Sequence, residues 1–140
     1  LLDYCRVPII AAIPRAREAL REKRVLGEVS LISGTGTRNG ADASKALALG
    51  ADAVRIDEAA LIALGYYNSP NEMVAVGRPN QKIRPETGIR VAKFINSMTM
   101  EMALLARSLG KGDVHSLEYE DLSALTLEAS LMSGVKLAGE

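Results

Sequence analysis

The sequence predicts an α/β fold of parallel strand–helix–strand units, and three features carry the prediction. The run Val29-Ser-Leu-Ile-Ser-Gly-Thr-Gly-Thr-Arg-Asn-Gly40 starts apolar without a helical period and then turns glycine-rich. Such turns lie at the carboxyl ends of parallel strands, where α/β proteins hold phosphates. Residues 41–49 then place alanine and leucine at helical spacing, and residues 53–56 return to a short apolar run. Gly50 and Gly65 stand where left-handed helix terminators belong. The resulting order β-α-β-α-β-α, with tight connections, is that of right-handed βαβ units.

Taken in order, residues 7–10 are a short β-branched run, predicted as the first strand. Pro14 suits the first turn of a helix through about residue 23, because its missing N–H is not needed there. Gly27 closes the connection, and residues 29–32 read as a strand buried on both faces of a parallel sheet. In the helix over residues 41–49, Asp42 sits in the first turn, where the helix dipole favours a carboxylate. Asp57 is placed to cap a further helix that runs to about residue 64. Residues 66–85 gather Asn, Ser, Pro and Gly between weak apolar pairs and read as one irregular connection, unusually long for a compact domain.

Apolar positions Ile89, Val91, Phe94, Ile95, Met98, Met102, Leu105 and Leu109 mark one face of a long helix over residues 86–109, ended by Gly110. A last helix is predicted over residues 118–133, burying Leu122, Leu125, Ala129 and Met132, with Gly134 beyond it. Three regions follow: the βα units of residues 1–65, the connection of residues 66–85 and a C-terminal helical extension of residues 86–140.

Composition removes several function classes. Seventeen basic residues balance seventeen acidic ones in 140 residues, so no global field holds nucleic acid and any ligand needs a local site. Cys5 is the only cysteine, which excludes an internal disulfide and a cluster ligated by cysteines of this chain alone. A reducing, cytoplasmic setting is the expectation. No apolar run approaches the roughly 18 residues of a membrane span, and the start is too short and polar for a signal peptide. Beginning at Leu1 rather than Met suggests a fragment or a processed chain.

Other chemistry-bearing residues have plainer readings. His115 is the only histidine and has no nucleophile or second histidine nearby in sequence, which points to a surface or helix-entry role. Cys5 beside Arg6 reads as a small buried hydrophobe rather than a reactive thiol. Methionines 98, 100 and 102 read as helix packing. Arg15, Arg17, Arg21, Lys23 and Arg24, interrupted by Glu18 and Glu22, read as a solvated helix face with i,i+4 pairs.

The wording of residues 29–65 goes further. Gly40-Ala-Asp, Lys45-Ala-Leu-Ala-Leu-Gly-Ala-Asp-Ala-Val54 and Ala59-Ala-Leu-Ile-Ala-Leu-Gly65 closely resemble the last two strand units of the FMN-binding barrel of glutamate synthases. Val91-Ala-Lys-Phe-Ile-Asn96, Glu101-Met-Ala-Leu-Leu-Ala-Arg-Ser-Leu-Gly110 and Val114-His-Ser-Leu117 are similar to that family's C-terminal helical region. The resemblance implies the C-terminal βα units of a (β/α)8 TIM barrel plus a helical extension. A complete barrel needs roughly 200 residues or more, so the expected partners are the remaining strand units of the barrel, another subunit or a second copy meeting the open strand edges.

For the site, the resemblance implies that Gly34, Thr35, Gly36, Thr37 and Arg38 stand where the family's Ser-Gly-Gly-Ile-Arg type turn holds the FMN phosphate. Only Gly36 and Arg38 match residue for residue. After the next strand the family pattern Ala-Val-x-Ile-Gly-Thr-Ala-Ala-Leu becomes Ala53-Val-Arg-Ile-Asp-Glu-Ala-Ala-Leu61, so Asp57 and Glu58 replace a glycine and a threonine. Two unit charges about 4 Å apart repel by roughly 4 kcal/mol at an effective dielectric near 20, which opposes a phosphate there.

The family's cluster-binding cysteines are also missing from Tyr66-Tyr-Asn-Ser-Pro-Asn-Glu-Met-Val-Ala-Val-Gly77, so no iron–sulfur cluster is expected. Family chemistry is reductive amination: ammonia adds to 2-oxoglutarate, and reduced FMN delivers hydride to 2-iminoglutarate to give glutamate. A flavin subunit that makes N-methylglutamate from methylamine is a close alternative. A non-catalytic relative that serves as a structural or partner-binding module is the rival class, and the residues expected to hold the isoalloxazine ring and 2-oxoglutarate lie mainly on earlier strands.

Overall fold

A computed structural model of the chain describes residues 7–34, 36–69, 72–75 and 85–140. The elements run α1 (Ile9–Glu22), β1 (Ile32–Ser33), α2 (Gly40–Ala48), β2 (Ala53–Val54), α3 (Asp57–Leu64), β3 (Tyr66–Ser69), β4 (Glu72–Ala75), α4 (Pro85–Ser108) and α5 (Leu127–Ser133). Two single 3-10 turns, Val114–Ser116 and Tyr119–Asp121, join α4 to α5.

β1, α2 and β2 form the predicted βαβ unit. The strands pair in parallel with Ile32 opposite Ala53 and Ser33 opposite Val54. Side-chain and loop contacts extend this short ladder at both ends. The Asp52 carboxylate accepts from the Leu31 N–H at 2.6 Å, the Asp52 N–H donates to the Leu31 carbonyl at 2.8 Å, and the Arg55 N–H donates to the Ser33 carbonyl at 2.9 Å. α2 starts where Asn39 caps the Asp42 N–H at 2.9 Å, and Gly50, Gly65, Gly110 and Gly134 end their helices with positive φ.

α2 is the centre of the molecule. Ala43, Ala46, Leu47, Ala48 and Leu49 are buried, and their small side chains let neighbours approach from several sides. Ile13 of α1, Ala124 and Val135 meet Ala46, Leu49 and Ala51 in one cluster, while Ala106 of α4 and Leu117 meet Ala48 in another. α4 packs on α2 and α3, and α5 packs on α1, so the C-terminal helices rest directly on the βα units.

Several expectations need correction. Residues 7–10, expected as a strand, enter α1, which begins at Ile9 with Pro8 as its N-cap. Ile9, Ile10 and Ile13 fall on one helical face and pack together on the core; burying apolar side chains, at about 1.5–3 kcal/mol each when complete, outweighs the few tenths that β-branching costs a helix. Pro14 consequently lies inside α1, past its first turn.

The strand expected at residues 29–32 shrinks to Ile32–Ser33 and is not buried on both faces, since Val29 is 49% and Ile32 56% exposed. Asp57 opens α3 instead of capping it, and Ile56 takes the cap position without a side-chain oxygen to offer.

Within the connection predicted as irregular, Tyr66–Ser69 and Glu72–Ala75 pair antiparallel and Pro85 opens α4; residues 70, 71 and 76–84 lie outside the described residues. The last helix is also shorter than expected. Glu118 and Asp121 close a capping box on the 3-10 turn, the chain then extends so that Ala124 bridges Leu137, and Thr126 caps α5 through the Ala129 N–H. Leu125, expected to be buried, is 86% exposed in that extended stretch. Met98 is buried as expected, whereas Met100 points away from the core. The basic face of α1 is solvated, with an i,i+3 pair between Arg21 and Glu18 in place of the expected i,i+4 pattern.

Candidate functional site at the strand ends

The carboxyl ends of β1 and β2 open into one cleft of about 480 Å³. Gly34, Gly36, Thr37 and Arg38 border it from the turn after β1, and Asp57 and Glu58 border it from the start of α3. Parallel pairing places these two turns side by side, so the residues singled out from the sequence meet in space. Thr35 and Cys5 lie outside the described residues.

Local geometry sets what each group can do. Gly36 adopts φ +84°, a left-handed conformation that favours glycine, and among the described residues no heavy atom outside the chain neighbours lies within 4 Å of where a side chain on Gly34 or Gly36 would begin. Thr37 is buried beneath the turn. Arg38 folds back on α2, its Nε donating to the Asp42 carboxylate at 2.9 Å and its Nη2 at 3.4 Å, with its backbone N–H adding a contact at 3.3 Å. The guanidinium hydrogen bond is the main cause that holds the Asp42 carboxyl below its ordinary range, with burial opposing it.

Four further residues that the sequence did not single out line the cleft. Arg55, the variable position of the strand motif, reaches Asp57 through Nη2 in an exposed ion pair. Ile62 of α3 and Phe94 of α4 supply an apolar wall together with Ala59. Phe94 is the only phenylalanine of the chain, but its part in the site depends on how α4 packs on α3.

A second cavity, of about 250 Å³, lies on the other side of the turn and shares Gly36, Thr37 and Arg38 with the first. It is bounded by Ser33, whose buried hydroxyl has no hydrogen-bond partner among the described residues. His115 is exposed in the first 3-10 turn, where its N–H donates to the Asp113 carboxylate, well away in sequence from both cavities. Among the described residues no group of three His, Cys, Asp or Glu side chains converges as a metal site, and no helix is long and apolar enough to cross a membrane.

The cleft fits the two parts of FMN unequally. Its volume and its apolar wall suit a planar ring. A phosphate fits poorly: both guanidinium groups at the rim are committed to carboxylates, and Asp57 and Glu58 occupy the first turn of α3, where an N-terminal helix dipole would otherwise draw an anion.

Comparison with known proteins fixes the family. A family model described as the conserved region in glutamate synthase matches residues 1–112. A glutamate synthase large subunit-like protein of Rhizobium meliloti (strain 1021) is 38% identical over 165 aligned residues, which cover 99% of this chain and 37% of that protein. An archaeal glutamate synthase [NADPH] of Methanocaldococcus jannaschii is 36% identical, and an archaeal-type glutamate synthase [NADPH] of Thermotoga maritima 34% identical, each over 99% of this chain and 30% of its own length. The chain thus spans about a third of the length of these relatives. No solved structure matches it. On the family match and these identities over nearly its whole length, the chain belongs to the glutamate synthase family.

Proposed function

We propose that this chain is the C-terminal strand-unit segment of a glutamate synthase-type (β/α)8 flavin barrel, with its helical extension, and that it retains the strand-end cleft while losing the phosphate grip. The observation that carries this reading is the meeting of the β1 turn, the α3 start and Phe94 around one cleft of about 480 Å³. The reaction such a barrel serves is reductive amination of 2-oxoglutarate to glutamate, or of the same acid with methylamine to N-methylglutamate.

In that reaction the described residues of this chain bind and orient. The cleft presents backbone at Gly34 and Gly36, an apolar wall and paired charges, and neither histidine nor cysteine lines it. The partners that complete the site are further strand units, in the same polypeptide, another subunit or a second copy. Exposed Leu26, Val29 and Ile32 beside β1 give such a partner an apolar surface next to a strand that pairs only with β2 among the described residues.

The Arg55–Asp57 pair favours a second reading, a non-catalytic module that keeps the scaffold for partner binding. Titration with flavins of the protein together with the strand units that complete the barrel, followed by isoalloxazine absorbance and fluorescence, separates the two. Saturable binding supports the flavin-barrel reading. Failure to bind either riboflavin or FMN supports the module.

A further inference from the structure

We propose that the strand-end cleft discriminates against a phosphomonoester and takes an uncharged planar heterocycle, with Glu58 and the Arg55–Asp57 pair as the residues that set this preference. The inference rests on the flavin-site reading above and adds to it the class of ligand that the altered cleft accepts.

Two guanidinium groups and two carboxylates line the cleft. Arg55 pairs with Asp57, Arg38 pairs with Asp42 of the neighbouring cavity, and Glu58 has no cationic partner among the described residues. A phosphate dianion would have to approach the unpaired Glu58 and also draw a guanidinium away from its carboxylate. A bidentate arginine grip on phosphate uses the planar fork; Arg38 turns its Nε and Nη2 to Asp42 and Arg55 its Nη2 to Asp57, so a phosphate competes with a carboxylate at each.

The rest of the cleft is well suited to a ring. Ala59, Ile62 and Phe94 form the apolar side, and Ile62 is 57% exposed there, so an aromatic ligand would cover apolar surface that now faces water. Among the described residues no heavy atom crowds the α-carbons of Gly34 and Gly36, which allows a flat ligand to approach their peptide groups closely. Water screens the exposed charges, but the apolar contribution is the same for a phosphorylated and an unphosphorylated ring. Only the charge term distinguishes the two.

The test compares riboflavin with FMN, which differ by the phosphate alone. With the protein and the strand units that complete the barrel at low salt, riboflavin is expected to bind at least about tenfold more tightly than FMN, a difference of about 1.4 kcal/mol, and added salt should narrow the gap. Glu58→Gln, a change of charge at an exposed position, should tighten FMN and leave riboflavin unchanged. Asp57→Asn should do the same more strongly, because it also frees Arg55. Equal or tighter binding of FMN by the unaltered protein overturns this inference and leaves the flavin-site reading standing. Binding of neither flavin overturns both, and so does equal improvement of both flavins in the two variants overturn the assignment of charge as the selector.

Discussion

Replacement of Gly40 by alanine tests the contact that joins the helical extension to the βα unit. Gly40 is the first residue of α2 and lies under α4: its N–H donates to Glu101 Oε2 at 2.7 Å. A Cβ built there would stand 2.6 Å from the Met98 carbonyl oxygen and 2.8 Å from Glu101 Cβ. The first of these is backbone and cannot rotate away. Helix propensity alone favours alanine over glycine by roughly 1 kcal/mol. Against it stand the overpacking of two helices, about 1–3 kcal/mol, and the strain or loss of a hydrogen bond to a charged group, about 1.5–3 kcal/mol. The net expectation for Gly40→Ala is a loss of about 1.5–5 kcal/mol. Gly88→Ala supplies the control, since Gly88 lies in α4 with no heavy atom within 4 Å of an added Cβ; there propensity acts unopposed, and a gain of about 0.5–1 kcal/mol follows. Urea denaturation followed by far-UV circular dichroism reads both. If Gly40→Ala stabilises as Gly88→Ala does, the close approach of α2 and α4 is wrong, and with it the packing that brings Phe94 to the cleft.

Two further outcomes test the C-terminal segment. Asp121 is held below its ordinary value of 3.8, first by the Glu118 N–H and then by Lys111, whose ammonium is 2.9 Å away and is itself shifted up by the same contact. Its folded value being the lower one, its contribution is complete above 3.8 and is lost as pH falls through that folded value. Asp121→Asn should therefore flatten the acid limb of stability against pH, and an unchanged limb would show that the contact does not hold. Tyr119 donates its hydroxyl to the Ser133 carbonyl at the end of α5, so Tyr119→Phe should cost about 1 kcal/mol in the same urea assay; no loss would mean that water serves that carbonyl equally well.

Much of the βα unit was legible because its signals are local. Asp42 marks the first turn of α2, glycines mark the ends of α2, α3 and α4, and the alternation of apolar runs marks β1 and β2. Where tertiary packing chooses between two local options, the sequence alone did not. Ile9 and Ile10 suit a strand by branching, yet in company with Ile13 they make a helical face with a core to bury it. Tyr66–Ser69 and Glu72–Ala75 carry strand formers around Pro70 and Asn71, residue types that favour turns, but the polar residues among them hid the period-two pattern. The helix expected over residues 118–133 failed for a different reason: two separate caps, at Glu118 and Thr126, compete within one apolar pattern and divide it.

The site shows the same division between what adjacency in sequence reveals and what only packing decides. Spacing within the family pattern was enough to set Asp57 and Glu58 opposite the turn of Gly34, Gly36, Thr37 and Arg38, and these six residues do line one cleft. Counting charges from the sequence treated both carboxylates as equally opposed to a phosphate. The structure makes them unequal, because Arg55 neutralises Asp57 while Glu58 has no such partner among the described residues. Arg38, the matched arginine of the family turn, is likewise engaged by Asp42 and does not stand ready for an anion. The weakness toward phosphate therefore does not come from two added charges acting together. It comes from one unpaired carboxylate together with two arginines that are already occupied, and that arrangement leaves the apolar wall of Ala59, Ile62 and Phe94 as the part of the cleft with affinity still to offer.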